Sequence, residues 1–132
     1  GAPEHAYEGG QGFAFEPGAD HPLLIPSAGD ARPAWTLDDF IRAAEQARGG
    51  RIAVIQLHGV PDRAHPWVNT EPEMLEKYLE YLAVNGYRVV AMRDLERYAG
   101  ARAAPADPLG VIERRRRALA EGEPRYREPR IP

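Results

Sequence analysis

Ile52-Ala53-Val54-Ile55-Gln56-Leu57-His58-Gly59 is the stretch on which the fold reading turns. From Ile52 to Leu57 only Gln56 is polar, so the alternation of a sheet with one wet face is missing. A nearly continuous apolar run predicts a strand covered on both faces, as in a parallel sheet. His58-Gly59-Val60-Pro61-Asp62 follows at its carboxyl end. Open α/β sheets and barrels both place their chemistry at such ends.

The flanking segments fit an α/β pattern. Upstream, Thr36 is an N-cap candidate with Asp39 three residues on, a variant of the capping box. Leu37, Phe40, Ile41, Ala44 and Ala47 then recur at helical spacing, and Gly49-Gly50 is the expected stop. Downstream, Thr70-Glu71-Pro72-Glu73 has the form of a capping box with Pro in the first turn. Met74, Leu75, Tyr78, Leu79, Tyr81 and Leu82 form the apolar stripe of that second helix, and Asn85-Gly86 its C-terminal cap. Tyr87–Met92 is expected as a further strand and Arg93–Tyr98 as a short closing helix. Residues 1–35, rich in Gly, Pro and Ala, predict loop. Within them Phe13 and Phe15 serve as aromatic anchors, and Leu23-Leu24-Ile25 is a candidate brief strand.

Composition bounds the chemistry. There is no cysteine among the 132 residues, which excludes disulfides and thiolate metal sites. No stretch approaches 18 apolar residues, so no membrane span is expected. No signal region is present, and export would require one upstream of Gly1. Residues 1–100 hold nine Lys/Arg against fifteen Asp/Glu, a net of −6, which argues against a nucleic-acid partner. Residues 101–132 hold eight Arg and five acids, a net of +3. This Arg/Pro-rich tail lacks the apolar residues for a core of its own. Val111–Glu121 reads as a solvated helix in which Arg114-Arg115-Arg116-Arg117 is a charged face.

His58 is the foremost candidate for chemistry. Its ordinary titration range suits general acid or base work, and Gly59 lets a ligand or backbone approach closely. A strand-end histidine bonded to a nearby carbonyl is the plain alternative. In the following loop Asp62 could orient His58 or meet a sugar hydroxyl, His65 could be a second site group, and Trp67 could stack on a sugar ring. Their plain alternatives are a turn aspartate, a surface histidine and a tryptophan covering the core edge. A compact metal site built from His58, Asp62 and His65 is a further arrangement of the same residues.

Ile55-Gln56-Leu57-His58-Gly59-Val60 resembles the last motif of the polysaccharide deacetylases of the NodB-homology type, a hydrophobic strand ending in Leu-His. Leu79-Glu80-Tyr81-Leu82-Ala83-Val84-Asn85-Gly86-Tyr87-Arg88-Val89-Val90-Ala91-Met92-Arg93-Asp94-Leu95 resembles that family's closing helix and strand. The likeness spans Arg51–Tyr98, with Gly9–Gly50 fitting less specifically. It implies that residues 1–100 are the C-terminal portion of a distorted (β/α) barrel. It implies a hydrolase that removes N- or O-acetyl groups from a poly- or oligosaccharide by means of a divalent metal, often zinc. On this resemblance His58 is the general acid and Leu57 lines the pocket for the acetyl methyl, with Asp62, His65 and Trp67 as substrate-binding candidates. The family's Thr-Phe-Asp-Asp-Gly motif is mimicked by Thr36-Leu37-Asp38-Asp39-Phe40, which lacks the Gly and opens a helix. No His pair with the family's metal spacing occurs; His21-Pro22 and His65-Pro66 match only its end. The metal ligands are therefore expected outside this chain, and the chain alone is expected to be inactive. A half-barrel would expose sheet edges, so association through them is expected. A non-catalytic carbohydrate-binding or structural remnant of the barrel is the alternative function.

Overall fold

The computed structural model describes residues 12–99 and 104–120. It is a small mixed α/β structure: among the described residues, four α-helices accompany one two-stranded parallel sheet. The sheet joins β1 (Gly29–Asp30) to β2 (Ile55–Gln56), with Gly29 opposite Ile55 and Asp30 opposite Gln56. Between the strands runs α1 (Leu37–Ala44), which supplies the crossover that a parallel pair requires. Then come α2 (Pro72–Val84), α3 (Glu96–Ala99) and α4 (Pro108–Ala120). Among the described residues no helix is long and apolar enough to cross a membrane.

The capping box expected at Thr36 is present in both directions. The Asp39 amide donates to Thr36 Oγ1 at 3.2 Å, and the Thr36 amide donates to Asp39 Oδ2 at 2.8 Å. Two of the helix's orphan amides are thereby satisfied by neighbours in sequence. The helix ends sooner than its apolar spacing suggests, at Ala44, so Ala47 lies beyond it. Gly49 and Gly50 turn the chain with φ of +60° and +80°. Gln46, buried behind the helix, accepts from the Ala14 amide at 3.1 Å and donates to the Gly12 carbonyl at 2.7 Å. Its amide group gives the N-terminal segment the partner that a sheet strand would otherwise supply.

The buried faces of α1 and α2 meet in an aromatic core. Phe40 stacks on Tyr78 with ring centres 4.3 Å apart, and Trp35 stands edge-on to both, at 6.3 and 6.2 Å. Ile41, Ala43, Ala44 and Tyr81 complete this cluster. Gly29 is fixed by the same packing, because a Cβ there would collide with the Trp35 indole. Burial pushes the Tyr78 phenol up to about 12, with the nearby Asp39 carboxylate adding to the effect. The predicted anchors Phe13 and Phe15 are buried as well.

Several local expectations fail. Leu23-Leu24-Ile25 forms no strand, and Leu23 is 82% exposed. Ile52–Leu57 contributes only the two ladder residues of β2, and its apolar side chains are half-buried rather than covered on both faces. Among the described residues only β1 and an antiparallel bridge between Phe15 and Ile52 pair with this run. Thr70 does not cap α2: the N-cap is Glu71, without a side-chain cap, and the Thr70 hydroxyl turns inward toward the Ala31 carbonyl at 3.4 Å. The C-terminal cap is as expected. Gly86, at φ +71°, donates to Ala83 and Tyr87 donates to Leu82, the paired bonds of a Schellman cap. Tyr87–Met92 forms no strand; a short 3₁₀ turn, Met92–Asp94, leads into α3.

The tail helix α4 is not merely solvated. Arg115 points inward, pairs with the buried Asp20, donates to the Ala14 carbonyl and lies over the Phe13 ring, 4.5 Å from its centre. Arg116 and Arg117 pair with Glu113 on the helix's outer side. The expected linker from Ala101 and the polar end from Glu123 lie in part or wholly outside the described residues.

Candidate functional site

Parallel register brings His58 to a carboxylate. Asp30 ends β1 opposite Gln56. Cross-strand partners share a face, and two residues further on the chain returns to it. His58 therefore reaches the Asp30 side chain, and its Nε2 lies 2.8 Å from Asp30 Oδ1. Asp30's other oxygen accepts from Arg32 Nε at 3.0 Å. The three side chains form one chain of contacts at the carboxyl ends of both strands. The imidazole is neither sealed nor fully free: 28% of its side chain is exposed against 15% for Asp30.

With Asp30 ionised, Nε2–H donates to it and Nδ1 is left directed elsewhere. A carboxylate held this way fixes the ring's orientation and tautomer, as in hydrolytic sites where an acid–base histidine has a carboxylate behind it. Asp30 is the site residue that sequence reasoning missed. Its segment reads as Gly/Pro-rich loop, and a two-residue strand carries no periodicity to reveal it. The one available signal was a carboxylate directly after the small, apolar Ala28-Gly29.

The loop candidates form a separate unit. Gly59 and Asn69 bridge in parallel and the Thr70 amide donates to the Gly59 carbonyl at 3.0 Å, closing the loop at its base. Inside it, Asp62 accepts from the His65 amide at 3.0 Å and lies 3.0 Å from His65 Nδ1, while its own amide donates to Asn69 Oδ1 at 2.6 Å. Partial desolvation pushes the Asp62 carboxyl up. The hydrogen bond to the His65 ring, the amides of His65 and Ala64 and the His65 charge outweigh that and leave it below its ordinary value. Arg63 grips Glu71 with two nitrogens, at 2.6 and 3.0 Å, and with help from Asn69 holds that carboxyl low as well. Trp67 is 65% exposed and meets the His65 ring edge-on at 5.4 Å.

His58 is thus joined to Asp30, and no hydrogen bond or ion pair among the described residues links it to Asp62, His65 or Trp67. Asp62 serves the turn and His65, not His58. Leu57 points off the strand on the opposite side from His58, into an apolar groove beside Leu75 and Leu79. Among the described residues no group of three His, Asp or Glu side chains could hold a metal ion. The compact metal site of His58, Asp62 and His65 is therefore not formed, since each histidine is committed to a different aspartate. Compared with known proteins, the chain gives no significant match to a family model, a curated protein or a solved structure.

Proposed function

We propose that this chain carries the proton-transfer part of a hydrolytic site, of the kind that removes acetyl groups from carbohydrate, with His58 as general acid and Asp30 as its positioning residue. The observation that carries the proposal is the 2.8 Å contact between His58 Nε2 and Asp30 at the ends of two parallel strands. A general acid needs a ring held in one orientation with a nitrogen free for the leaving group. Asp30 takes Nε2, so Nδ1 is the atom that would deliver the proton to a departing amine or alcohol. The described residues do not fit the divalent metal that the sequence resemblance implies. We assign them no metal step, and we place that half of a (β/α) barrel and its chemistry in polypeptide beyond these residues.

The test is His58→Ala in a polypeptide that also supplies the remainder of the site, assayed on an acetylated oligosaccharide. A general acid's removal should lower turnover by about a hundredfold or more. Near-normal deacetylation would exclude His58 from the mechanism. The chain alone should hydrolyse the same substrate no faster than its His58→Ala variant.

The exposed Trp67 ring supports a second reading, a carbohydrate-binding surface without catalysis. It predicts that the isolated chain's Trp67 fluorescence changes on titration with an oligosaccharide, and that Trp67→Ala abolishes binding while His58→Ala does not.

A further inference from the structure

An open groove of about 860 Å³ runs between the outer edge of β2 and the segment 88–92. Its first wall is a half-used strand. Ile52, Val54 and Gln56 turn their backbone groups inward: Ile52 exchanges bonds with Phe15, the Val54 carbonyl accepts from Ala28, and the Gln56 carbonyl accepts from Ala31. The period of two sends the peptide groups of Ala53, Ile55 and Leu57 the other way, toward the groove. Among the described residues they have no hydrogen-bond partner. The second wall is equally open. Tyr87 makes the last backbone bond to α2, and the amides of Arg88, Val89 and Val90 bond to no described residue.

The lining is mainly apolar, with more cations than anions. Leu79, Val89 and Met92 line the groove and are all more than half exposed. The charged lining residues are Glu45, Arg48, Arg51 and Arg88. Glu45 already pairs with Arg48 at 3.6 Å, whereas Arg51 and Arg88 have no carboxylate partner among the described residues. Arg51 immediately precedes the strand. Arg88 follows Tyr87, whose ring meets Tyr81 at 5.7 Å, and belongs to the groove's second wall. Arg51 therefore sits at the end of the groove where the strand begins, with its Nε donating to the Arg48 carbonyl at 3.0 Å.

We propose that this groove is a slot for an extended peptide segment of another polypeptide, apolar at alternate positions and carrying carboxylates that meet Arg51 and Arg88. Unpaired backbone on both walls selects an extended chain. A helix or an acyl chain offers no backbone groups to satisfy it, while an inserted strand pairs along both of its edges. Alternate side chains then cover Leu79, Val89 and Met92. The excess of cations selects an acidic segment over a second copy of this chain, whose own groove carries the same excess. This inference stands apart from the deacetylase proposal and uses none of its residues except the backbone of Leu57.

The experiment uses the full chain and short fluorescent peptides alternating valine and threonine, with aspartates or with lysines at both ends. The aspartate peptide should bind about tenfold or more tightly than the lysine peptide. Arg51→Glu with Arg88→Glu should reverse that preference, and Val89→Lys, on an exposed side chain, should weaken the aspartate peptide by about tenfold. N-methylation of either alternate set of peptide amides should abolish binding, because both edges are used. Equal binding of the two peptides, no binding of either, or insensitivity to the arginine reversals would overturn the proposal. So would a dimer in sedimentation that Val89→Lys converts to monomer and that the aspartate peptide leaves intact, which would give the slot to a second copy.

Discussion

His58 has two ring nitrogens, and Asp30 occupies one of them at 2.8 Å. Nitrogen-15 shifts should therefore place the neutral ring's hydrogen on Nε2. Asp30→Ala should free the ring to rotate, visible as averaged side-chain couplings at His58, and an equally ordered ring in that variant would show that Asp30 does not position it. Gly59 is a second residue whose identity is decided by contact. A Cβ there would stand 2.7 Å from the Cβ of Asp62, which bonds the His65 ring and amide. Gly59→Ala should cost about 1–3 kcal/mol in urea unfolding. It should also separate Asp62 from His65, which is visible as a change in the His65 ring shifts. The loop's carboxylates set its response to acid. Asp62 and Glu71 lie below their ordinary values of 3.8 and 4.5 in the folded chain. A carboxyl lowered on folding stabilises above its unfolded value, and that contribution is lost as pH falls through the folded one. Trp67 fluorescence should accordingly stay native at pH values near the ordinary carboxylate range and change only below it. A transition above pH 4.5 would contradict the pairing of these groups.

At the scale of elements, the interactions closed within a few residues were legible and the others were not. Thr36→Ala removes one side of the capping box of α1 and should cost about 1 kcal/mol, measured by urea unfolding. That box could be read because donor and acceptor are three residues apart. Thr70 offered an equivalent pattern, but the Ala31 carbonyl, 39 residues away, takes its hydroxyl instead. The Asn85-Gly86 cap was legible for the reason Thr36 was: φ +71° and two short-range bonds belong to the local chain. Ile52–Leu57 was legible as apolar and extended, yet the described residues give it no second cover, since apolar sequence records a demand for burial and not what meets it. Tyr87–Met92 failed as a strand because a ladder needs a neighbour, and none of the described residues pairs with it. The same limit hid Asp30, whose role exists only through the register of β1 on β2. His58 itself could be singled out because the run before it was unmistakably strand-like and it closes that run.

The molecule as a whole is held together by unlike means at its two ends. On one side Trp35, Phe40, Tyr78 and Tyr81 bury apolar area between two helices. On the other, α4 returns to the N-terminal segment through Arg115, which reaches Asp20 from 95 positions away in sequence. Asp20 is 2% exposed at its side chain, and its Oδ1 has no hydrogen-bond partner among the described residues. An ion pair in that setting contributes little net stability, because both charges have been stripped of water. Breaking it from one side is another matter, since the carboxylate then keeps only the Glu16 amide, at 2.6 Å, in a place shielded from water. Arg115→Ala should therefore destabilise the chain by about 3–5 kcal/mol in urea unfolding. Arg115→Met combined with Asp20→Leu, which removes both charges and keeps the volume apolar, should recover most of that loss. The Ala14 carbonyl and the Phe13 ring would still lose the guanidinium, so the double variant isolates the charge from those contacts. A loss below about 0.5 kcal/mol for Arg115→Ala, the range of ordinary surface substitutions, would mean that α4 is a solvated appendage. In that event the four consecutive arginines would be an undifferentiated charged face.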